Sequence, residues 1–196
     1  MRNIITEDET PLSLYLPESK RESSEWKFPG ETSSKKMRSG TSHRKCLMLS
    51  IFWDAHGVIL VDFADKQVHI NSSYYSDLVD KCRHARRKER GIPMWLLQDN
   101  APIHKSAQTM RRIEENGFHL LDHPPYSPDL APSDFYLFQH LKKHLRGKQY
   151  ESAGDLKEDV TVFLDHQPPD FYKNAFLQLV QRWEKCVSAN GSYVEK

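Results

Sequence analysis

Three aspartates lie in segments whose residue types suit metal-assisted phosphoryl transfer. Asp99 lies in the segment QDNAPIH, Asp134 closes the segment YSPDLAPSD, and Asp8 is the middle residue of an acidic run, EDE. Carboxylate oxygens are ligands that Mg²⁺ and Mn²⁺ prefer. A pair of such ions can hold the attacking and the leaving oxygen of an in-line displacement. If the three carboxylates converge, the sequence therefore predicts a metal-dependent phosphoryl-transfer site.

Each aspartate also has a structural interpretation. Asp99 with Asn100 before Ala-Pro makes a good turn or helix cap, and Asp134 after Pro-Ser is a common helix entry. Asp8 could be a surface acid between its two glutamates. The spacing alone does not decide whether the three meet, so both interpretations remain open at this stage.

Histidines offer a second set of possible ligands. His104 follows Asp99 closely and could orient a substrate or a metal-bound water, with Asn100 beside it, or it could only pack or cap there. A zinc site would need paired ligand spacing. Among the remaining candidates, which are Cys82, His84, His119 and His123, the two histidines 119 and 123 have the H-x₃-H spacing, but no C-x₂-C pair accompanies them.

Length and composition limit the classes of protein that this chain can belong to. The 196 residues are 38% hydrophobic with a formal net charge of +1, enough for one domain with a core. The longest strongly apolar run, 46–53, is too short for a membrane span, and no secretory leader is recognised. Three dispersed cysteines predict free thiols in a reducing compartment.

Basic residues are clustered although the net charge is small. Local basic patches can bind phosphates, so these clusters predict a DNA-binding surface. The alternative for each is a solvated face or loop. The predicted DNA-binding residues are Arg83, Arg86, Arg87 and Lys88 in one stretch and Lys35, Lys36 and Arg38 in another.

The periodicity of apolar residues and the positions of turn and cap residues predict the elements that must position these residues. We expect a mixed α/β sheet flanked by helices, in one domain over residues 1–196. The predicted order is a first strand within 2–10, a polar arm at 17–45, a hairpin of strands 46–53 and 58–63, a helix from 71 to about 90, a strand at 94–97, a helix from Pro102 to about Asn116, a strand at 118–121 and three closing helices.

The two long motifs resemble the catalytic core of mariner transposases, in the Tc1/mariner superfamily. They are 98–104 (QDNAPIH) and 123–138 (HPPYSPDLAPSDFYLF), with thirty-four residues between Asp99 and Asp134. The resemblance runs from about residue 3 to the end. Shorter matching segments are 6–10 (TEDET), 52–54 (FWD), 57–59 (GVI), 70–75 (INSSYY) and 182–187 (RWEKCV).

The resemblance implies a ribonuclease H-like fold in which Asp8, Asp99 and Asp134 bind Mg²⁺ or Mn²⁺, with two ions expected. It implies cleavage of double-stranded DNA at transposon ends and strand transfer into TA target sites, by a nuclear homodimer. The polar arm at 17–45 takes the place of the family's clamp loop, which reaches the partner subunit.

Three departures from the family pattern stand out. The helix-turn-helix modules that read transposon ends do not precede the first catalytic strand, Glu7 stands where Gly is usual, and Pro11 stands where Trp is usual. A proline is poorly tolerated in a central strand. We therefore expect a truncated first strand and a non-autonomous copy. Alternatives are an inactive domesticated remnant that binds DNA or a transposase, and a nuclease acting on RNA–DNA hybrids.

Overall fold

The computed structural model describes residues 3–17, 45–65, 67–86 and 92–194, with the backbone alone at 45 and 46. Within these ranges the strands form one sheet in the order β3-β2-β1-β4-β5. The strands are β1 (Ile4–Ser13), β2 (Lys45–Asp54), β3 (Gly57–Asp65), β4 (Met94–Leu97) and β5 (Phe118–Leu120). The helices are α1 (Ser72–Ala85), α2 (Ala107–Glu115), α3 (Phe138–Leu145), α4 (Ala153–Asp165) and α5 (Asp170–Ser188).

The central strand β1 separates two kinds of pairing. It is antiparallel to β2 and parallel to β4, which is parallel to β5. Helices cover both faces. One face of the sheet packs a cluster that includes Ile5, Phe52 and α1, and the other packs a larger cluster that includes Leu12, Trp53 and α3 to α5. The expected mixed sheet with flanking helices is confirmed.

The expectation of a truncated first strand is wrong. β1 spans ten residues and continues through Pro11, which is paired in register with Met48 of β2. The N–H of Trp95 donates to the C=O of Asn3 (2.8 Å), so main-chain groups of odd-numbered β1 residues face β4. Pairing with β4 is recorded only from Ile4 to Thr6. The proline nitrogen therefore points to a side where no ladder hydrogen bond is lost.

Two helix starts also differ from expectation. The helix predicted from Pro102 begins at Ala107, because the side chain of Ser106 accepts a hydrogen bond from the N–H of Thr109. The helix predicted to be capped by Ser133 or Asp134 opens with a π-helical turn, Ser133–Leu137, before α3. Both differences lie next to the predicted site residues and change how those residues are held.

Other predictions have separate outcomes. The hairpin β2–β3 is confirmed, and Cys82 and Cys186 are free thiols. Residues 18–44, nearly all of the predicted arm, lie outside the described residues. Within the described ranges, the search for a helix both long and apolar enough to cross a bilayer finds none.

Candidate active site

Sheet register brings Asp8 and Asp99 to the same level. The parallel ladder between β1 and β4 ends with Thr6 opposite Leu97. Asp8 lies two residues further along β1, and Asp99 lies two residues beyond the end of β4. Alternation places Asp8 on the same face as Thr6, the face covered by α3 to α5. Sequence alone could not supply this alignment, because it depends on which strands pair and in what register.

A buried hydrogen bond next to Asp134 holds its segment against the same face of the sheet. The indole N–H of Trp53 donates to the hydroxyl of Ser133 over 3.0 Å, and both side chains are buried. Trp53 is also the β2 partner of Thr6. The π turn that starts at Ser133 is thus tied to the sheet one residue before Asp134. This contact joins residues 80 apart in the chain, so no local pattern in the sequence indicates it.

The three carboxylates act on one another electrostatically. Burial raises the pKa of Asp8 well above its usual value, and the charges of Asp134 and Asp99 raise it further. Burial also raises the pKa of Asp134; Lys142 opposes this effect and Asp99 adds to it. Each pair within the triad therefore interacts. That the three aspartates together bind metal stays a prediction, which these interactions support.

Asp99 is held by His104 and by its own turn. The Nδ1 atom of His104 lies 2.6 Å from Oδ1 of Asp99, and the N–H of Ala101 donates to the same oxygen over 2.8 Å. The hydrogen bond from His104 lowers the pKa of Asp99 despite partial burial. The Asp99 side chain remains 51% exposed. Its carboxylate is thus oriented but still open to a ligand.

His104 connects Asp99 with a second group of carboxylates. Its other ring nitrogen, Nε2, lies 3.3 Å from Glu9 and 3.9 Å from Glu7. Burial disfavours the charged imidazole, but the surrounding carboxylates outweigh burial and raise the pKa of His104 to about 11. Glu7 is fully buried beneath α1, where the hydroxyl of Tyr75 contacts it. The period of two along β1 already places Glu7 and Glu9 opposite Asp8, a signal the sequence analysis did not use.

A cleft of about 480 Å³ opens between the segments that carry Asp99 and Asp134. The side-chain amide of Asn100 donates to the C=O of His123 over 2.7 Å. This hydrogen bond joins the segment after β4 to the segment after β5 at one wall of the cleft. Burial lowers the pKa of His123. The other lining residues include Pro102, Pro125, Tyr126, Ser127, Pro128 and Ala131.

Helix α5 supports the wall of the cleft that leads to Asp134. The guanidinium group of Arg182 donates to the C=O of Asp129 (3.0 Å) and stacks over the ring of Phe135 (4.1 Å). The N–H of Val194 donates to the side chain of Asp129 over 2.8 Å. Nothing local in the sequence indicates these contacts, which join distant parts of the chain.

The predicted DNA-binding residues are only partly described. The guanidinium of Arg86 forms an ion pair with Asp54. Arg83 contacts the sulfur of Met94 at 3.6 Å and lies over the ring of Phe118. The remaining five, Arg87, Lys88, Lys35, Lys36 and Arg38, lie outside the described residues.

The zinc alternative receives no support from the described residues. Burial raises the pKa of the Cys82 thiol to about 12, which disfavours the thiolate that zinc binds. In the part of the chain that the structure describes, one group of three possible ligands has its donor atoms within 4.8 Å of one another, and it consists of Glu7, Glu9 and His104. None of the residues considered for zinc from the sequence belongs to it.

Comparison with known proteins finds transposases that are similar to this chain. The family model described as "Transposase (partial DDE domain)" matches residues 16–94. The human protein "Histone-lysine N-methyltransferase SETMAR" is 34% identical over 98% of this chain and 28% of its own length. The "Mariner Mos1 transposase" of Drosophila mauritiana is 29% identical over 100% of this chain and 57% of its own length. The chain thus spans less than two thirds of either relative.

Solved structures of the Mos1 transposase agree. The "Mos1 Strand Transfer Complex" superposes with a TM-score of 0.90 at 29% identity, covering 99% of this chain and 56% of that one. The "Mos1 mariner paired end complex with Mn" gives 0.89 at 28% identity, covering 98% and 57%. The mixed sheet flanked by helices is therefore ribonuclease H-like. By sequence and by fold, this chain is similar to the catalytic domain of mariner transposases.

Proposed function

We propose that this domain cleaves DNA strands and joins the resulting 3′ ends to a second DNA molecule, as in cut-and-paste transposition. The observation that carries the proposal is the mutual electrostatic interaction of Asp8, Asp99 and Asp134 beside an open cleft. Phosphoryl transfer of this kind needs positioned oxygen ligands more than a protein nucleophile. The three aspartates are the proposed catalytic residues.

The donor set fits a hard divalent cation. Two carboxylates about 4 Å apart repel by roughly 4 kcal/mol at an effective dielectric near 20, so a cation that joins them is stabilised. Oxygen-only donors with open positions suit Mg²⁺ or Mn²⁺. We propose two ions, which when bound lower the pKa of the attacking water or 3′-hydroxyl and stabilise the leaving oxygen.

The neighbouring residues would fix this geometry. His104 and the N–H of Ala101 hold one oxygen of Asp99, so its other oxygen stays free for a ligand. Asn100 holds the cleft wall at His123. Such supporting hydrogen bonds orient ligands and reduce the reorganisation needed during reaction. We assign His104 and Asn100 these positioning roles.

Double-stranded DNA is the proposed substrate, at transposon ends and TA target sites, with the protein acting as a nuclear homodimer. The relatives support this assignment, since Mos1 has been solved in a strand transfer complex and in a paired end complex. Residues 17–45 would reach the partner subunit as a clamp loop. Arg83, Arg86 and the basic residues near them would contact phosphates.

A plasmid-nicking assay tests the proposed function. With Mg²⁺ or Mn²⁺, we expect the wild-type domain to convert supercoiled to open-circular DNA, and Asp134→Asn to reduce the rate by about 100-fold or more. Asp65→Asn is a matched control, because Asp65 is 67% exposed at the end of β3. It should leave the rate unchanged.

Three outcomes would contradict the proposed function. Equal nicking by wild type and Asp134→Asn would assign the activity to another site or a contaminant. DNA binding by folded wild-type protein without metal-dependent nicking would favour the binding-remnant alternative. A preference for RNA–DNA hybrid over duplex DNA would favour the hybrid nuclease.

A further inference from the structure

A second group of possible metal ligands lies on the opposite face of β1 from Asp8. Glu7 and Glu9 are two residues apart on this strand, and His104 comes from the turn before α2. One donor atom from each lies within 4.8 Å of the other two. The side chains of Glu7 and His104 are 0% and 1% exposed, and that of Glu9 is 15% exposed. The group is therefore mostly buried, and Glu9 is its most exposed member.

The carboxylate of Glu7 lacks hydrogen-bond donors. Among the described residues, its Oε1 atom has no partner. Its Oε2 atom lies 2.9 Å from the hydroxyl of Tyr75, but that hydroxyl also lies 2.7 Å from the side-chain oxygen of Gln98. A hydroxyl carries one hydrogen, so it can serve only one of these acceptors fully. A fully buried carboxylate with at most one shared hydrogen bond needs a counter-charge, which is either a proton held by the cluster, as on the His104 imidazole, or a metal cation in its place.

The orientation of His104 suits a metal ligand. When Nδ1–H donates to Asp99 (2.6 Å), the lone pair of Nε2 points towards Glu9 (3.3 Å) and Glu7 (3.9 Å). Metal-bound histidines commonly donate their other ring N–H to a carboxylate in this way. Ligands about 2.1 Å from a tetrahedral ion lie about 3.4 Å apart, close to the observed separations.

We propose that Glu7, Glu9 and His104 form a second divalent-metal site, separate from the three aspartates, that takes Zn²⁺ or another first-row transition ion. An imidazole ligand favours such ions over Mg²⁺ and Ca²⁺, which prefer oxygen-only sites. Because His104 is also bonded to Asp99, an ion here would hold the imidazole that orients that carboxylate. The site lies behind the proposed active site and does not depend on the transposition chemistry being correct.

Zinc calorimetry with excess Mg²⁺ present tests the site. We expect the folded wild-type domain to bind one Zn²⁺ that Mg²⁺ does not displace, and Glu7→Gln to weaken it by at least about tenfold. Gln keeps the size of Glu and can still accept from Tyr75. Should Glu7→Gln not fold, Glu7→Gly removes the ligand as well and serves in its place. Co²⁺ gives a second readout, because absorption bands of a nitrogen-ligated ion should appear in wild type and be lost in His104→Asn.

Two matched controls separate this site from others. Asp134→Asn disables the proposed catalytic site and should leave zinc affinity unchanged. His144 forms a second histidine–carboxylate pair, with its Nε2 atom 3.0 Å from Oδ1 of Asp159. His144→Asn removes this pair and should also leave the zinc affinity unchanged. Equal zinc affinity in wild type and Glu7→Gln would overturn the proposal, as would loss of zinc binding in Asp134→Asn. Absence of zinc binding to folded wild type would mean that a proton, not a metal, neutralises the cluster.

Discussion

The contact between Trp53 and Ser133 should matter for both stability and activity. Ser133→Ala removes the acceptor of the indole N–H at a site where both side chains are 0% exposed. A buried donor left without a partner costs about 1–3 kcal/mol. For a domain of this size, each kcal/mol lowers the melting temperature by roughly 2–4 °C. Because the π turn then loses its tie to β2 next to Asp134, we also expect nicking to slow by about tenfold.

Ser50→Ala provides the matched control. Ser50 is also 0% exposed on β2, but its hydroxyl has no hydrogen-bond partner among the described residues. Removing it should be neutral or slightly stabilising, because no partner is left unsatisfied. Urea unfolding of the two Ser→Ala variants therefore compares the same chemical change with and without a hydrogen bond.

A double-mutant cycle isolates the pair. Trp53→Phe combined with Ser133→Ala should be less destabilising than the sum of the two single changes, by about 1 kcal/mol or more. Additive effects, or equal stabilities of Ser133→Ala and Ser50→Ala, would refute the inference that this hydrogen bond anchors the turn.

Three further predictions concern other parts of the fold. Although partial burial opposes it, hydrogen bonds from Tyr150, His144 and Lys148 lower the pKa of Asp159 to about 2. Because this folded-state pKa is depressed, the stabilisation is present above about pH 4 and is lost as the pH falls towards 2. After allowance for solvent screening, Asp159→Asn should lower the free energy of unfolding by about 1 kcal/mol at pH 7 and by much less near pH 2. Urea unfolding at both pH values measures this loss, and an equal loss at both would contradict the prediction. Pro11→Val should lower the free energy of unfolding by no more than about 1 kcal/mol, since the proline already fits β1. A clear gain in melting temperature on this substitution would show that the proline strains the strand. Neutralising Arg83, Arg87 and Lys88 to Gln should weaken DNA binding and flatten its salt dependence; an unchanged slope would leave this stretch as a solvated face.

Local patterns predicted the elements well where one signal dominated. The apolar run before Asp99 became β4, and the capping residue Asn71 accepts from the N–H of Tyr74 at the start of α1. Predictions failed where two signals competed. Pro102 suits the first turn of a helix, but the side chain of Ser106 provides the cap and the helix begins at Ala107.

The site was harder to predict because its geometry is set by long-range pairing. Proline tolerance at residue 11 depends on which strand lies on each side of β1, and sequence does not specify that. The link from Trp53 to Ser133 and the supports from Arg182 join residues far apart in the chain. The family motifs named the three aspartates, but they did not reveal that Glu7 and Glu9 share His104 on the other face.

The most direct test of the central claim, that Asp8, Asp99 and Asp134 share one divalent-metal centre, is calorimetric titration with Mg²⁺. We expect wild-type protein to bind Mg²⁺ and each of Asp8→Asn, Asp99→Asn and Asp134→Asn to weaken binding by at least about tenfold, with circular dichroism confirming that all four proteins are folded. Mg²⁺ binding that any one of these substitutions leaves unchanged, or a folded wild-type protein that binds no Mg²⁺, would contradict a shared metal centre.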